Sequence, residues 1–147
     1  MRIAIPVWED KVSPLLDTAS RLLVVDVEDR SEVSRLEIYL DEQQISRRCL
    51  RIQGLDVNVL ICGAISMSFF RMLTASGIEV IAGISGPAED VLRVCLKGRL
   101  AESGFFMPGC RGDALYGRFG FSALDQTRKK SGKRKAQEGR VEPGGEV

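Results

Sequence analysis

The sequence has no histidine. That absence removes imidazole as general base, proton shuttle or metal ligand, and with it Ser-His-Asp and Cys-His nucleophilic mechanisms. Any metal ligand supplied by the chain must be a thiolate, carboxylate, thioether or backbone group. Aromatic residues are scarce, at 6% of 147, so the core is mainly aliphatic. None of the four cysteines (Cys49, Cys62, Cys95, Cys110) is spaced C-x-x-C, and secreted disulfide scaffolds are shorter and denser in cysteine. No apolar run approaches the roughly 20 residues that cross a bilayer. The start Met1-Arg2-Ile3-Ala4-Ile5-Pro6-Val7 is too short for a signal-peptide core. The expectation is a cytoplasmic protein with no membrane contact.

What is present suits one domain and a tail. Hydrophobic residues make up 44% of the chain, enough for a single core. The formal net charge of +1 hides an asymmetry. Residues 122–147 hold seven Lys/Arg and four Asp/Glu, while residues 1–121 hold 14 basic and 16 acidic groups. The stretch Arg128-Lys129-Lys130-Ser131-Gly132-Lys133-Arg134-Lys135 has no hydrophobic periodicity and cannot offset its ordering entropy by burial. The reading is a folded domain over 1–121 and a basic tail over 122–147, disordered from about Asp125. The tail lacks the interleaved aromatics that stack on bases, so nucleic acid is not an expected partner.

Periodicity predicts an α/β chain. Strands are expected at 2–7, 21–28, 32–40, 57–62 and 78–84, and helices at 42–52, 66–76 and 88–96. Asp41 is the expected N-cap of the first helix and Gly54 its stop; Gly77 and Gly98 end the other two. Residues 8–17 read as a loop. Three strands joined by short connections form an antiparallel meander, and two βα units add parallel strands. The expected sheet is five-stranded and mixed, in the order 3-2-1-4-5, with helices on its faces.

The most informative stretch is Val57-Asn58-Val59-Leu60-Ile61-Cys62-Gly63. Its β-branched density suits a strand buried on both faces. Gly63 permits a tight strand-to-helix turn or close approach by another backbone. Ligands of open α/β sheets gather outside the carboxyl ends of the strands, which places Cys62 at a candidate binding edge. Cys110, within Phe106-Met107-Pro108-Gly109-Cys110-Arg111-Gly112, sits in a loop whose Arg111 favours thiolate. The segment 104–112 is expected to fold over the edge. Cys49 and Cys95 lie among apolar neighbours at helical spacing and read as core. Gly63 before Ser66, and Ser85-Gly86 before Pro87, can cradle an anion at helix N-termini. Asp10, Asp17 and Asp26 do not assemble into a two-metal nuclease centre.

The order of these pieces resembles the dinitrogenase iron–molybdenum cofactor biosynthesis family, which includes nitrogenase accessory factors. The resemblance is carried by Arg2-Ile3-Ala4-Ile5-Pro6-Val7, by Lys11-Val12-Ser13-Pro14, by Leu22-Leu23-Val24-Val25-Asp26-Val27-Glu28, by Gly54-Leu55-Asp56-Val57-Asn58-Val59-Leu60-Ile61, by Ser76-Gly77-Ile78-Glu79-Val80-Ile81, and by Ala88–Leu92 with Lys97–Leu100. It spans roughly residues 1–101. It implies a ribonuclease-H-like fold without nuclease chemistry, and binding or carriage of a metal–sulfur cofactor of the iron–molybdenum type, or of its precursor. The implied protein is a non-catalytic nitrogen-fixation accessory, exchanging cargo with donor and acceptor proteins. Two departures stand out: Leu15-Leu16-Asp17 replaces a His-Phe-Gly-type motif, and Cys62-Gly63 replaces Gly-Gly. The expected contact residues are Ser13, Cys62, Gly63 and Cys110, with Cys62 and Cys110 as the metal-binding thiolates. Two thiolates do not complete an iron–sulfur or molybdenum–iron–sulfur site, so a second subunit or exogenous ligands complete it. The alternative is an interaction or regulatory module that kept the fold and lost the cofactor.

Overall fold

The computed structural model describes residues 1–100 and 103–107. Cys110 and the basic tail lie outside the described residues. Strands β1 (Arg2–Trp8), β2 (Lys11–Val12), β3 (Arg21–Glu28), β4 (Ser31–Tyr39), β5 (Val59–Ile61) and β6 (Glu79–Ile81) form a mixed sheet. Helices α1 (Ile45–Gly54), α2 (Met67–Ala75) and α3 (Ala88–Leu96) flank it.

The sheet has six strands rather than five. Lys11–Val12, read as loop, folds back antiparallel on the end of β1, with Val7 opposite Val12. Counting it shifts the strand numbers, so the order along the sheet is β4-β3-β1-β5-β6, with β2 paired only to β1. β1 pairs antiparallel with β3 and parallel with β5, and β5 pairs parallel with β6.

Period-2 alternation divides the core in two. Ile3, Ile5, Val7, Leu23, Val25, Val59, Ile61 and Ile81 face α3, where they meet Val91, Leu92 and Cys95. Ala4, Leu22, Val24, Leu60 and Val80 face α1 and α2, where they meet Ile52, Phe69 and Leu73. β5 is buried on both faces, as its uninterrupted Val59-Leu60-Ile61 requires. Full burial of a side chain such as Phe69 or Leu73 is worth about 1.5–3 kcal/mol.

The first helix begins later than its pattern suggests, and Asp41 does not cap it. Gln44 occupies the N-cap position without a side-chain bond. The cause is Arg48, buried under the preceding loop. Its Nε donates to the Glu42 carbonyl at 2.8 Å, and its Nη1 donates to the Ala19 carbonyl at 2.6 Å. The Glu42 carbonyl is thereby drawn to a guanidinium instead of to a helical N–H. Nor does Gly54 stop this helix: it is the last helical residue, and the left-handed turn belongs to Asp56 at φ 57°. Gly77 and Gly98 do take positive φ, 93° and 71°.

Candidate functional site

The carboxyl ends of β1, β5 and β6 open onto one edge, where three loops are stitched backbone to backbone. After β2 the chain crosses the turn that follows β5. Ala64 N–H donates to the Pro14 carbonyl at 2.8 Å, and Leu16 N–H donates to the Ala64 carbonyl at 2.9 Å. The next loop joins in, with Gly83 N–H on the Gly63 carbonyl and Ile84 N–H on the Cys62 carbonyl. Val12 N–H reaches the Gly86 carbonyl, and Ala88 N–H the Asp10 carbonyl.

Gly63 is required by this crossing. A Cβ there would lie 2.6 Å from the Ser13 carbonyl oxygen and 2.8 Å from that of Pro14. Ser13 is buried beneath the crossing, its N–H held by the Pro6 carbonyl. The structure therefore brings Ser13, Cys62 and Gly63 together. The described part of the segment expected to fold over this edge does so. Ser85 N–H donates to the Phe105 carbonyl, Met107 N–H donates to the Gly83 carbonyl, and the Phe105 ring packs on Gly86. Cys110, three residues beyond, lies outside the described residues.

Cys62 sits at the strand end but does not face the edge. It is 0% exposed and packs in the core beneath α1 and α2. Burial, and secondarily the Asp17 carboxylate, push its thiol far above the ordinary thiol range. A protonated, inward-facing sulfur is a poor metal ligand. Cys49 and Cys95 are buried as well. Among the described residues no three Cys, Asp or Glu side chains gather into a metal-binding group.

The edge offers other chemistry. Asp17 Oδ1 accepts from Ser66 N–H at 2.9 Å, and the Ser66 hydroxyl caps α2 by accepting from Phe69 N–H. Met67 and Ser68 are exposed at the same helix start; with the Ser66 and Phe69 amides taken by Asp17 and the Ser66 hydroxyl, the amides of Met67 and Ser68 are the ones left without intrahelical acceptors. Large apolar side chains are exposed at this end of the sheet: Trp8 at the end of β1 is 54% exposed and Met67 is 60% exposed, with Leu15 beside Ala64. Sequence reasoning missed Trp8, Leu15 and Met67, because lone apolar residues in a loop carry no periodic signal. Trp8, the single tryptophan of the chain, was the available clue.

These features define a small mixed-sheet α/β domain with one loop-built edge at its strand carboxyl ends. Residues 1–98 match the family described as "Dinitrogenase iron-molybdenum cofactor", and the chain belongs to that family. No curated protein matches. Solved structures share the fold. A protein designated PH0822 is 20% identical, with a TM-score of 0.64, covering 67% of this chain and 91% of that one. The Methanocaldococcus jannaschii protein mj0327 is 23% identical, with a TM-score of 0.59, covering 67% and 90%. The apo form of the orange protein from Desulfovibrio gigas is 20% identical, with a TM-score of 0.54, covering 71% and 94%. At these identities the likeness is one of fold. No helix among the described residues is long and apolar enough to cross a membrane.

Proposed function

We propose that the chain is a non-catalytic, cytoplasmic accessory protein that binds or transiently carries a metal–sulfur cluster of the iron–molybdenum type, or its precursor, between a donor and an acceptor protein. The observation that carries this reading is the family match over residues 1–98, which includes every residue of the loop edge except the strap at 103–107. Metal–sulfur clusters and thiometallates are soft anions. The Met67 and Ser68 amides at the start of α2, beside the Asp17–Ser66 bond, and the exposed apolar side chains of Trp8, Leu15 and Met67 suit such cargo without histidine. Ser13 and Gly63 shape the edge in this reading. Cys110 is the thiol proposed to contact the cargo, and Cys62 is replaced in that role by the edge itself. The ribonuclease-H-like description, without nuclease chemistry, belongs to the same reading. Its support is the β4-β3-β1-β5-β6 order, antiparallel on one side of β1 and parallel on the other.

A second reading, a module that kept the fold and lost the cluster, is favoured by the burial of Cys62. Anaerobic titration with tetrathiomolybdate, or reconstitution with iron and sulfide, separates the two through metal analysis and a visible spectrum. The carrier reading expects binding by wild type and by Cys62→Ala, with loss in Met67→Asp, which replaces an exposed apolar side chain at the first residue of α2 by a carboxylate, and weakening in Cys110→Ser. Wild type that binds nothing replaces the carrier reading with the second.

A further inference from the structure

β4 closes one side of the sheet and is the longest strand among the described residues. No described strand covers its outer side. Every second residue of an antiparallel edge strand directs its N–H and C=O away from its neighbour. Natural edges are usually shortened, or protected with charged side chains (lysine above all), proline or bulges, and β4 carries the charges of Glu32, Arg35 and Glu37. β4 has neither lysine nor proline. Its one irregularity is at Val33, which is skipped where the pairing steps from Asp26–Ser34 to Val27–Glu32. From Ser34 to Tyr39 the register with β3 is unbroken. The strand also exposes its apolar side chains: Val33 is 56%, Leu36 57% and Tyr39 70% exposed.

We propose that this edge pairs antiparallel with β4 of a second copy of the chain, about a two-fold axis at Leu36, so that two sheets join into one. The register follows from charge and polarity. With the axis at Leu36, Arg35 stands opposite Glu37 of the partner subunit, and Glu37 opposite the partner's Arg35. Leu36 meets its own copy, and Val33 meets Tyr39 of the partner subunit at the margins. Moving the axis to Arg35 sets two guanidiniums opposite each other. Moving it to Glu37 sets two carboxylates opposite each other. An axis between residues sets Arg35 or Glu37 against an aliphatic side chain. Opposite charges and apolar pairs directly across strands stabilise a sheet, and like charges oppose it. A two-fold interface must be self-complementary, and among these registers only the Leu36 axis is.

Within one chain, Arg35 already binds Glu32 and Glu89 at 2.6 Å, and Glu37 binds Arg21 at 3.0 Å. These pairs already satisfy Arg35 and Glu37 within one chain, so across the axis their charges select the register rather than add new ion pairs. They also mean that charge swaps need a folding control, whereas no hydrogen bond or ion pair is made by the Leu36 side chain. The inference is independent of the proposed cargo, because β4 is separated from the loop edge by the width of β3 and lies outside the βα turns.

The test is the mass of the full-length protein by sedimentation equilibrium over a range of concentrations, with the fold of each variant checked by circular dichroism. Wild type is expected to show twice the chain mass at the upper end, and Leu36→Lys the single-chain mass throughout. Arg35→Glu raises the dimer dissociation constant about tenfold or more, and the double variant Arg35→Glu/Glu37→Arg restores it. Under mild oxidation Leu36→Cys gives a covalent dimer, beyond the level seen with wild type, and Glu32→Cys does not. A wild type that stays monomeric at every concentration overturns the proposal, including the case in which residues 108–147 cover β4 in cis. A dimer indifferent to Leu36→Lys, and not cross-linked through Leu36→Cys, overturns it in favour of another face.

Discussion

At the scale of single residues, the loop edge depends on one missing side chain. Gly63 lies where the Ser13–Pro14 backbone crosses, and a methyl group there would meet two carbonyl oxygens that cannot rotate away. Gly63→Ala is therefore expected to cost about 1–3 kcal/mol in urea unfolding, as overpacking does. At Gly54, the last residue of α1, nothing lies within 4 Å of an added Cβ. Gly54→Ala should be neutral or stabilising by up to about 1 kcal/mol in the same experiment. Arg48 is the polar counterpart: a buried guanidinium whose bonds run to the carbonyls of Leu16, Ala19, Leu40 and Glu42. Arg48→Met keeps the packing of the stem but strands those carbonyls, for an expected loss of about 2–3 kcal/mol. The need for glycine at Gly63 was legible in the sequence. The partner of Arg48 was not, because its acceptors are backbone atoms, which no residue identity announces. The inward turn of Cys62 was equally hidden. Position along a strand fixes which end a residue occupies, but the face depends on register.

At the scale of elements, the apolar patterns located β1, β3, β4, β5, β6 and the three helices, because burial on one or both faces leaves a period in the sequence. Strand β2 left none. It is two residues long, and it exists because the Glu9–Asp10 turn returns the chain onto β1, with Glu9 at φ 58°. The start of α1 was misplaced for a tertiary reason, the side chain of Arg48 outcompeting a local cap. The β3–β4 hairpin shows strain that composition alone conceals. Glu28 pairs with Ser31 across a two-residue turn whose central residues, Asp29 and Arg30, take φ of 53° and 62°. Such turns favour glycine at the second central position, because a Cβ in the left-handed region costs about 1–2 kcal/mol. Arg30→Gly should relieve it and raise stability by about 1 kcal/mol, read as a higher urea midpoint with unchanged m-value. An unchanged or lower midpoint would show that Arg30 makes up the strain elsewhere.

At the scale of the whole molecule, the two halves of the core respond to pH through buried thiols. Asp26, Glu32 and Glu89 have carboxyl groups held below their ordinary range by hydrogen bonds from Arg2 and Arg35. They lose that stabilisation as pH falls through their folded values, but their exposure to solvent keeps the acid limb shallow. The alkaline limb differs. Burial pushes the Cys95 thiol, beneath α3, up to about 12, and the Cys62 thiol, beneath α1 and α2, further still. In the unfolded chain each ionises near the ordinary thiol value of 9.0. Between those values the unfolded state has released a proton that the native state retains, so stability falls as pH rises. The slope is at most about 1.4 kcal/mol per pH unit for each thiol. It sets in near the unfolded value and ends once pH passes the folded one. Urea midpoints measured from pH 7 to 11 should therefore decline above about pH 9, while Cys95→Ala, less stable at neutral pH, declines less steeply. The two proteins differ at residue 95 alone, so the difference in slope isolates that thiol. If the two proteins decline in parallel, Cys95 ionises in the folded state as readily as in the unfolded one, and the α3 face of the core admits water that its burial excludes.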